Sequence, residues 1–328
     1  MNEHSPRRYR GSLLERAAEQ YHFGVPTPAP VPVAPQPVAP PAPQPIAQPA
    51  PQPVAQPAPV FEPAPVEGPV LRRGFAAEEA PRRETGRRSA PIDREALGKL
   101  GMLVPGGPVT PLAEEFRLVK RQLLLTARAV AGADAQRARM ILVCSANPDE
   151  GKTFCAINLA ISMAAEKDAE ILLVDADFAK PDIMARLGLP EGPGLLDALA
   201  GQVNVEDCIL DTDVPQLCVL PAGAKSISDT ELLASDRARQ ILDGLAAANP
   251  RRIVIFDSPP ALAASPAAVL ALHAGQVLLV VRADRTSESD LREATAMLDG
   301  CEHIQLLLNA VSFQPGGRRF GYYGETGK

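Results

Sequence analysis

The residues best able to do chemistry are a lysine, a threonine and three aspartates, each placed just after an apolar run. Gly151-Lys152-Thr153 closes a turn, Ser145 to Gly151, that follows the apolar run Met140–Val143. Beyond it, Ile157, Ile161 and Ala164 recur at helical spacing. Strand, loop, Gly-Lys-Thr and helix make a phosphate-binding loop. Backbone N–H groups at the helix start face an anion, Lys152 adds a point charge, and the Thr153 hydroxyl can ligate magnesium. The expected nucleotide contacts are Ala146, Asn147, Pro148, Asp149, Glu150, Gly151, Lys152, Thr153 and Phe154. Ala146 stands where the general pattern has its first glycine.

A second group follows the apolar run Ala169–Val174, as Asp175-Ala176-Asp177. Two carboxylates after a buried strand are costly without a cation or donor. Beside a magnesium nucleotide one can hold the metal and the other can take a proton from an attacking hydroxyl, in either order. Asp257 ends a third run, Arg252–Phe256, as a further magnesium-holding acid. Asn309 follows the run Ile304–Leu308 and is read either as a contact for the nucleotide base or as a turn residue.

These groups need strands that end at one edge. Further strands are expected at Leu217–Leu220 and Gln276–Val281, with helices over 112–127, 181–187, 230–248 and 287–298. Continuous apolar strands alternating with helices indicate an α/β fold: a parallel sheet with helices on both faces, carrying the phosphate loop of an NTPase. Such sheets bind ligands at the C-terminal strand ends, where Thr153, Asp175, Asp177, Asp257 and Asn309 all fall. On the first helix Glu114, Arg117 and Lys120 recur every three residues, as a solvated face or as a subunit contact.

Composition divides the chain further. Of 35 prolines in 328 residues, eighteen lie between Pro26 and Pro69, where PQPVAP at 35–40 returns as PQPIAQ and PQPVAQ. Proline lacks the donor that a core needs, so residues 24–92 read as a disordered linker that turns charged after residue 70. The proline part is a spacer reaching roughly 140 Å in polyproline II form, or a ligand for proline-binding partners. Residues 1–23 carry a short helix, Ser12–Tyr21, either frayed or a docking element. Residues 93–313 form the globular domain. Residues 314–328 form a flexible Gly-rich tail bearing Tyr322 and Tyr323, accessible phenols that suit phosphorylation.

A net charge of −6 argues against a dedicated nucleic-acid partner. The five cysteines, without C-x-x-C spacing, are expected to be reduced and buried. No run of about 18 apolar residues and no signal-peptide core occurs, so a cytoplasmic protein is expected, with any membrane role supplied by a partner.

Taken together, IDREALGKLGML, AEEFRLVKRQLL, CSANPDEGKT, LLVDADFAKP, LPAG, ELLAS, IVIFDSPP and the GYYG tail resemble the bacterial tyrosine kinases of capsular and exopolysaccharide synthesis. The likeness is nearest to the exosortase-associated tyrosine autokinases. It spans about residues 92–328, with SLLERAAE near the start. The resemblance implies an ATP- and magnesium-dependent autokinase with Lys152 and Thr153 in its first nucleotide motif, Asp175 and Asp177 in its second and Asp257 in its third. It implies that Glu114, Arg117 and Lys120 sit in a motif for ring-like oligomers. Tyr322 and Tyr323 become acceptors phosphorylated between subunits. The implied partner is a membrane chain-length or co-polymerase protein, which would recruit the kinase to the inner face of the membrane. Three positions depart from the family: Lys120 replaces an arginine and loses its bidentate fork, Ala179 replaces a basic residue, and the tail has two tyrosines where a longer cluster is usual. Two other readings share the fold. A MinD/ParA-type switch ATPase would carry a second lysine at the position of Asn147. A nucleotide-gated scaffold would need no tyrosine.

Overall fold

The apolar runs become the centre of one sheet. A computed structural model describes residues 86–225 and 229–311. In chain order the elements are β1 (Ser89–Ala90), α1 (Arg94–Lys99), α2 (Pro111–Val130), β2 (Met140–Ser145), α3 (Lys152–Met163), β3 (Glu170–Asp175), α4 (Ile183–Leu187), α5 (Leu195–Leu199), α6 (Val205–Cys208), β4 (Leu210–Thr212) and β5 (Leu217–Leu220). The second half adds α7 (Asp229–Leu233), α8 (Asp236–Ala247), β6 (Arg252–Asp257), α9 (Pro266–Ala271), β7 (Gln276–Arg282), α10 (Glu288–Met297) and β8 (Ile304–Asn309).

Strand order is β1-β4-β5-β3-β6-β2-β7-β8. From β5 to β8 every neighbouring pair is parallel. At the other end β4 runs antiparallel to β5, and β1 runs with β4. The expected parallel sheet is present and carries one antiparallel pair near its edge. The cause is length: only residues 213–216 join β4 to β5, with Gln216 at φ 66°. A connection that short makes a hairpin and cannot make a crossover.

Alternation along the strands builds two core layers. Met140, Leu142 and Cys144 enter one, while Ile141 and Val143 enter the other. Helices α1 to α4 cover the second face and α5 to α10 the first. Every residue of α3 except Lys152 and Phe154 is buried, because α3 lies between the sheet and α2. Helix α2 begins where the Thr110 hydroxyl accepts the Ala113 N–H at 3.2 Å, with Pro111 in the first turn. The single helix expected over 230–248 is two. Ser235 accepts the Ala238 N–H at 3.1 Å and caps α8, ending the continuity with α7.

At the N-terminal edge of the sheet, Arg252 is only 2 % exposed, with Glu170 at 2.6 Å and Glu206 at 2.5 Å. All five cysteines are free and buried, as the composition suggested. Cys155 sits in the α2/α3 layer and Cys144, Cys208, Cys218 and Cys301 in the other. Among the described residues no helix is long and apolar enough to cross a membrane.

Candidate nucleotide site

The ends of β2, β3 and β6 lie side by side, so ladder register alone assembles the acids. Asp175 is paired directly with Asp257, and Val143 with Asp257 on the other side. Adjacent strands are about 4.8 Å apart, which brings two carboxylates next to each other below the loop.

The loop after β2 folds back on itself. Ser145 Oγ donates to the Asn147 carbonyl at 2.8 Å, and the Asn147 N–H donates to Glu150 Oε2 at 2.9 Å. Asp149 adopts φ 61° and Gly151 φ 97°. Gly151 is required twice over: its conformation is left-handed, and a Cβ there would lie 2.1 Å from Asn309 Nδ2. The helix that follows offers N–H groups of its first turn, which have no intrahelical acceptor.

Lys152 Nζ lies 2.8 Å from Asp177 Oδ2. Burial alone would lower its pKa, but Asp257 and Asp177 outweigh burial and hold the ammonium above the usual lysine range. Asp175 Oδ2 accepts the N–H groups of Asp182 and Ile183, each at 3.1 Å, while Oδ1 has no partner. Burial, with repulsion from Asp177, raises Asp175 to about 7 against those two hydrogen bonds. Burial likewise raises Asp257 to about 7, opposed by Lys152 and by a hydrogen bond from the Thr153 hydroxyl. Its Oδ1 is also unpartnered.

Two buried, orphaned carboxylate oxygens beside one lysine are costly as they stand. They fit a divalent cation next to the Thr153 hydroxyl. Among the described residues no three His, Cys, Asp or Glu side chains form a metal cage. A magnesium ion here would share its shell with phosphates and water, as that ion usually does.

Other sequence-based expectations fall out differently. Ala146 is buried, Pro148 and Asp149 are exposed, and Phe154 packs against the α2/α3 core layer. Asn309 Nδ2 donates to the Glu150 carbonyl at 2.8 Å and so braces the loop. Glu114 and Arg117 pair on the surface of α2, but Lys120 turns inward to Glu166 at 2.7 Å and the Ser162 carbonyl at 3.2 Å. The three charges thus do not share one face. At about 100° per residue, six residues leave Lys120 about 120° from Glu114. Tyr322, Tyr323 and the Ser12–Tyr21 helix lie outside the described residues. Missed from sequence were Arg282, Thr286 and Asp290, which hydrogen-bond to the loop. The Ser287-x-x-Asp290 capping box was the one local signal at that place.

Residues 138–309 match the family described as the AAA domain. The putative tyrosine-protein kinase EpsB of Ralstonia nicotianae is 32% identical over 192 residues, which are 58% of this chain and 25% of that protein. The chain thus spans about a quarter of that relative's length. The putative tyrosine-protein kinase CapB of Staphylococcus aureus is 25% identical over 220 residues, 66% of this chain and 92% of CapB. The kinase domain of the Escherichia coli tyrosine kinase ETK superposes with a TM-score of 0.54 at 25% identity, covering 72% of this chain and 94% of that one.

Proposed function

The chain belongs to the AAA domain family and is a relative of the bacterial tyrosine kinases of polysaccharide synthesis, and on that premise we propose that it is an ATP-dependent protein-tyrosine autokinase. Its acceptors are Tyr322 and Tyr323, phosphorylated between copies of the chain. The observation that carries this reading is Lys152 set against Asp177, with Asp175 and Asp257, paired across neighbouring strand ends, each keeping a buried, unpartnered oxygen.

Phosphoryl transfer needs charge neutralisation and alignment more than covalent chemistry. Lys152 and the N–H groups of the loop and first turn bind the phosphates. Thr153, Asp175, Asp177 and Asp257 would hold magnesium, which supplies positive charge to the phosphate oxygens. Asp177 has one oxygen on Lys152 and the other on the Lys180 N–H at 3.1 Å. Asp175, with Oδ1 unpartnered, and Asp177, with its oxygens on Lys152 and the Lys180 N–H, divide the two remaining roles between them, one on magnesium and the other accepting the tyrosine proton. Asn309, by its place at the loop, supports the loop's shape more than base recognition.

The same reading extends to a kinase acting with a membrane chain-length or co-polymerase partner at the inner face of the membrane, in the manner of exosortase-associated autokinases. Contacts through the exposed Glu114 and Arg117 bring copies together, with Lys120 bracing α2 against Glu166 and the end of α3. The test is incubation of the full chain with magnesium ATP, followed by mass spectrometry of the tail. Phosphate on Tyr322 or Tyr323, lost in Lys152→Met, is the expected result. No phosphotyrosine, even with the partner's cytoplasmic segment present, ends the proposal.

A further inference from the structure

Glu150, expected to contact nucleotide, has both carboxylate oxygens held by the protein. It is a carboxylate only 2 % exposed, directly before the Gly-Lys-Thr triplet assigned to phosphates. A free carboxylate at a helix N-terminus is itself a good ligand for the N–H groups there. Left unanchored, Glu150 would compete with phosphate for the donors of Gly151, Lys152 and Thr153.

Its oxygens are instead occupied. Oε2 takes the Asn147 N–H at 2.9 Å, and Oε1 takes the Thr286 hydroxyl proton at 2.5 Å. Thr286 lies in the turn between β7 and α10, and its Oγ1 accepts the Arg282 N–H at 2.8 Å. With its proton on Glu150 and a lone pair on Arg282, the hydroxyl has one orientation. Neighbours in the same segment reinforce the tie. Arg282 Nη1 donates to the Asp149 carbonyl at 3.2 Å, and Asn147 Nδ2 donates to Asp290 Oδ2 at 3.2 Å.

The geometry points to Thr286 as a positioning residue of the phosphate loop: it holds the Glu150 carboxylate on the Asn147 N–H and so keeps the anion-binding N–H groups free for nucleotide. This rests on the nucleotide-site reading above.

Magnesium ADP affinity of the full chain, measured by calorimetry for four proteins, tests it. Thr286→Val should weaken binding about tenfold, the scale of one hydrogen bond to a charged group. Thr286→Ser, which keeps the hydroxyl, should rescue binding. Adding Glu150→Gln to Thr286→Val should also restore it, because the competing charge is gone. Nucleotide-free Thr286→Val should still unfold in one cooperative transition, a few degrees below wild type for the lost hydroxyl, separating positioning from loss of fold. Wild-type binding with Thr286→Val unchanged overturns the inference alone. So does a serine variant as weak as the valine one, or a double variant that stays weak. Wild type that binds no magnesium ADP overturns the nucleotide site, and the inference with it.

Discussion

Replacing Asp257 with Asn is expected to make the empty protein more stable, by an amount that grows with pH. Asp257 sits at a strand end with one oxygen unpartnered, and burial lifts its pKa from 3.8 to about 7. Between those values the folded state keeps a proton that the unfolded chain has released. The carboxyl's contribution to stability is therefore complete below the unfolded pKa and is lost as pH rises through about 7. At about 1.4 kcal/mol per pH unit, the charged form is disfavoured by on the order of 4 kcal/mol. That figure already includes the attraction of Lys152. Relaxation around the buried charge lowers the observable gain to about 2 kcal/mol at pH 8.5. In a domain of about 220 residues this is roughly 4–8 °C in Tm. The assay is thermal and urea unfolding of wild type and Asp257→Asn in EDTA, without nucleotide, from pH 4.5 to 8.5. The curves should separate progressively up to pH 7 and then run parallel. A variant less stable than wild type at pH 8.5, or a gap that does not change with pH, refutes the reasoning.

Other substitutions probe other parts of the fold. Arg252→Leu takes the shared guanidinium from Glu170 and Glu206, leaving Glu206 on Arg87 and Glu170 on the Asn249 amide, and should cost about 1.5–3 kcal/mol in urea unfolding, the scale of hydrogen bonds to a charged group. Gly151→Ala forces a side chain into a left-handed position and onto the Asn309 amide. It should cost about 1–2 kcal/mol of stability and abolish detectable magnesium ADP binding by calorimetry. Arg117→Ala should change stability by less than about 1 kcal/mol, because its pair with Glu114 is exposed. A larger change would mean that this pair is held in an assembly, which sedimentation would then reveal.

Much of the site was legible because it lies where apolar runs stop. Val143, Val174 and Phe256 each end a buried run, and the chemistry follows within a few residues in each case. Hydrophobic pattern and polar punctuation agree there, so local sequence suffices. The antiparallel β4 was not legible, since Leu210-Asp211-Thr212 offers a single buried side chain and no alternation. The inward turn of Lys120 escaped because spacing of three drifts around a helix. Thr286 meets Glu150 across 136 residues, and its neighbours Ser287 to Asp290 announce only a helix start. Arg252 opens the run Arg252–Phe256, and nothing near it in the sequence names Glu170 and Glu206 as the partners that permit its burial.

The five buried thiols give the molecule a built-in record of its own opening. Burial raises Cys144 to about 11 and Cys155 to about 12, so neither is reactive while its layer is closed. One thiol lies on the face covered by α2 and four on the opposite face. Each layer therefore carries its own chemical clock, and the order in which alkylating reagent reaches Cys155 and Cys144 reports which side of the sheet breathes first.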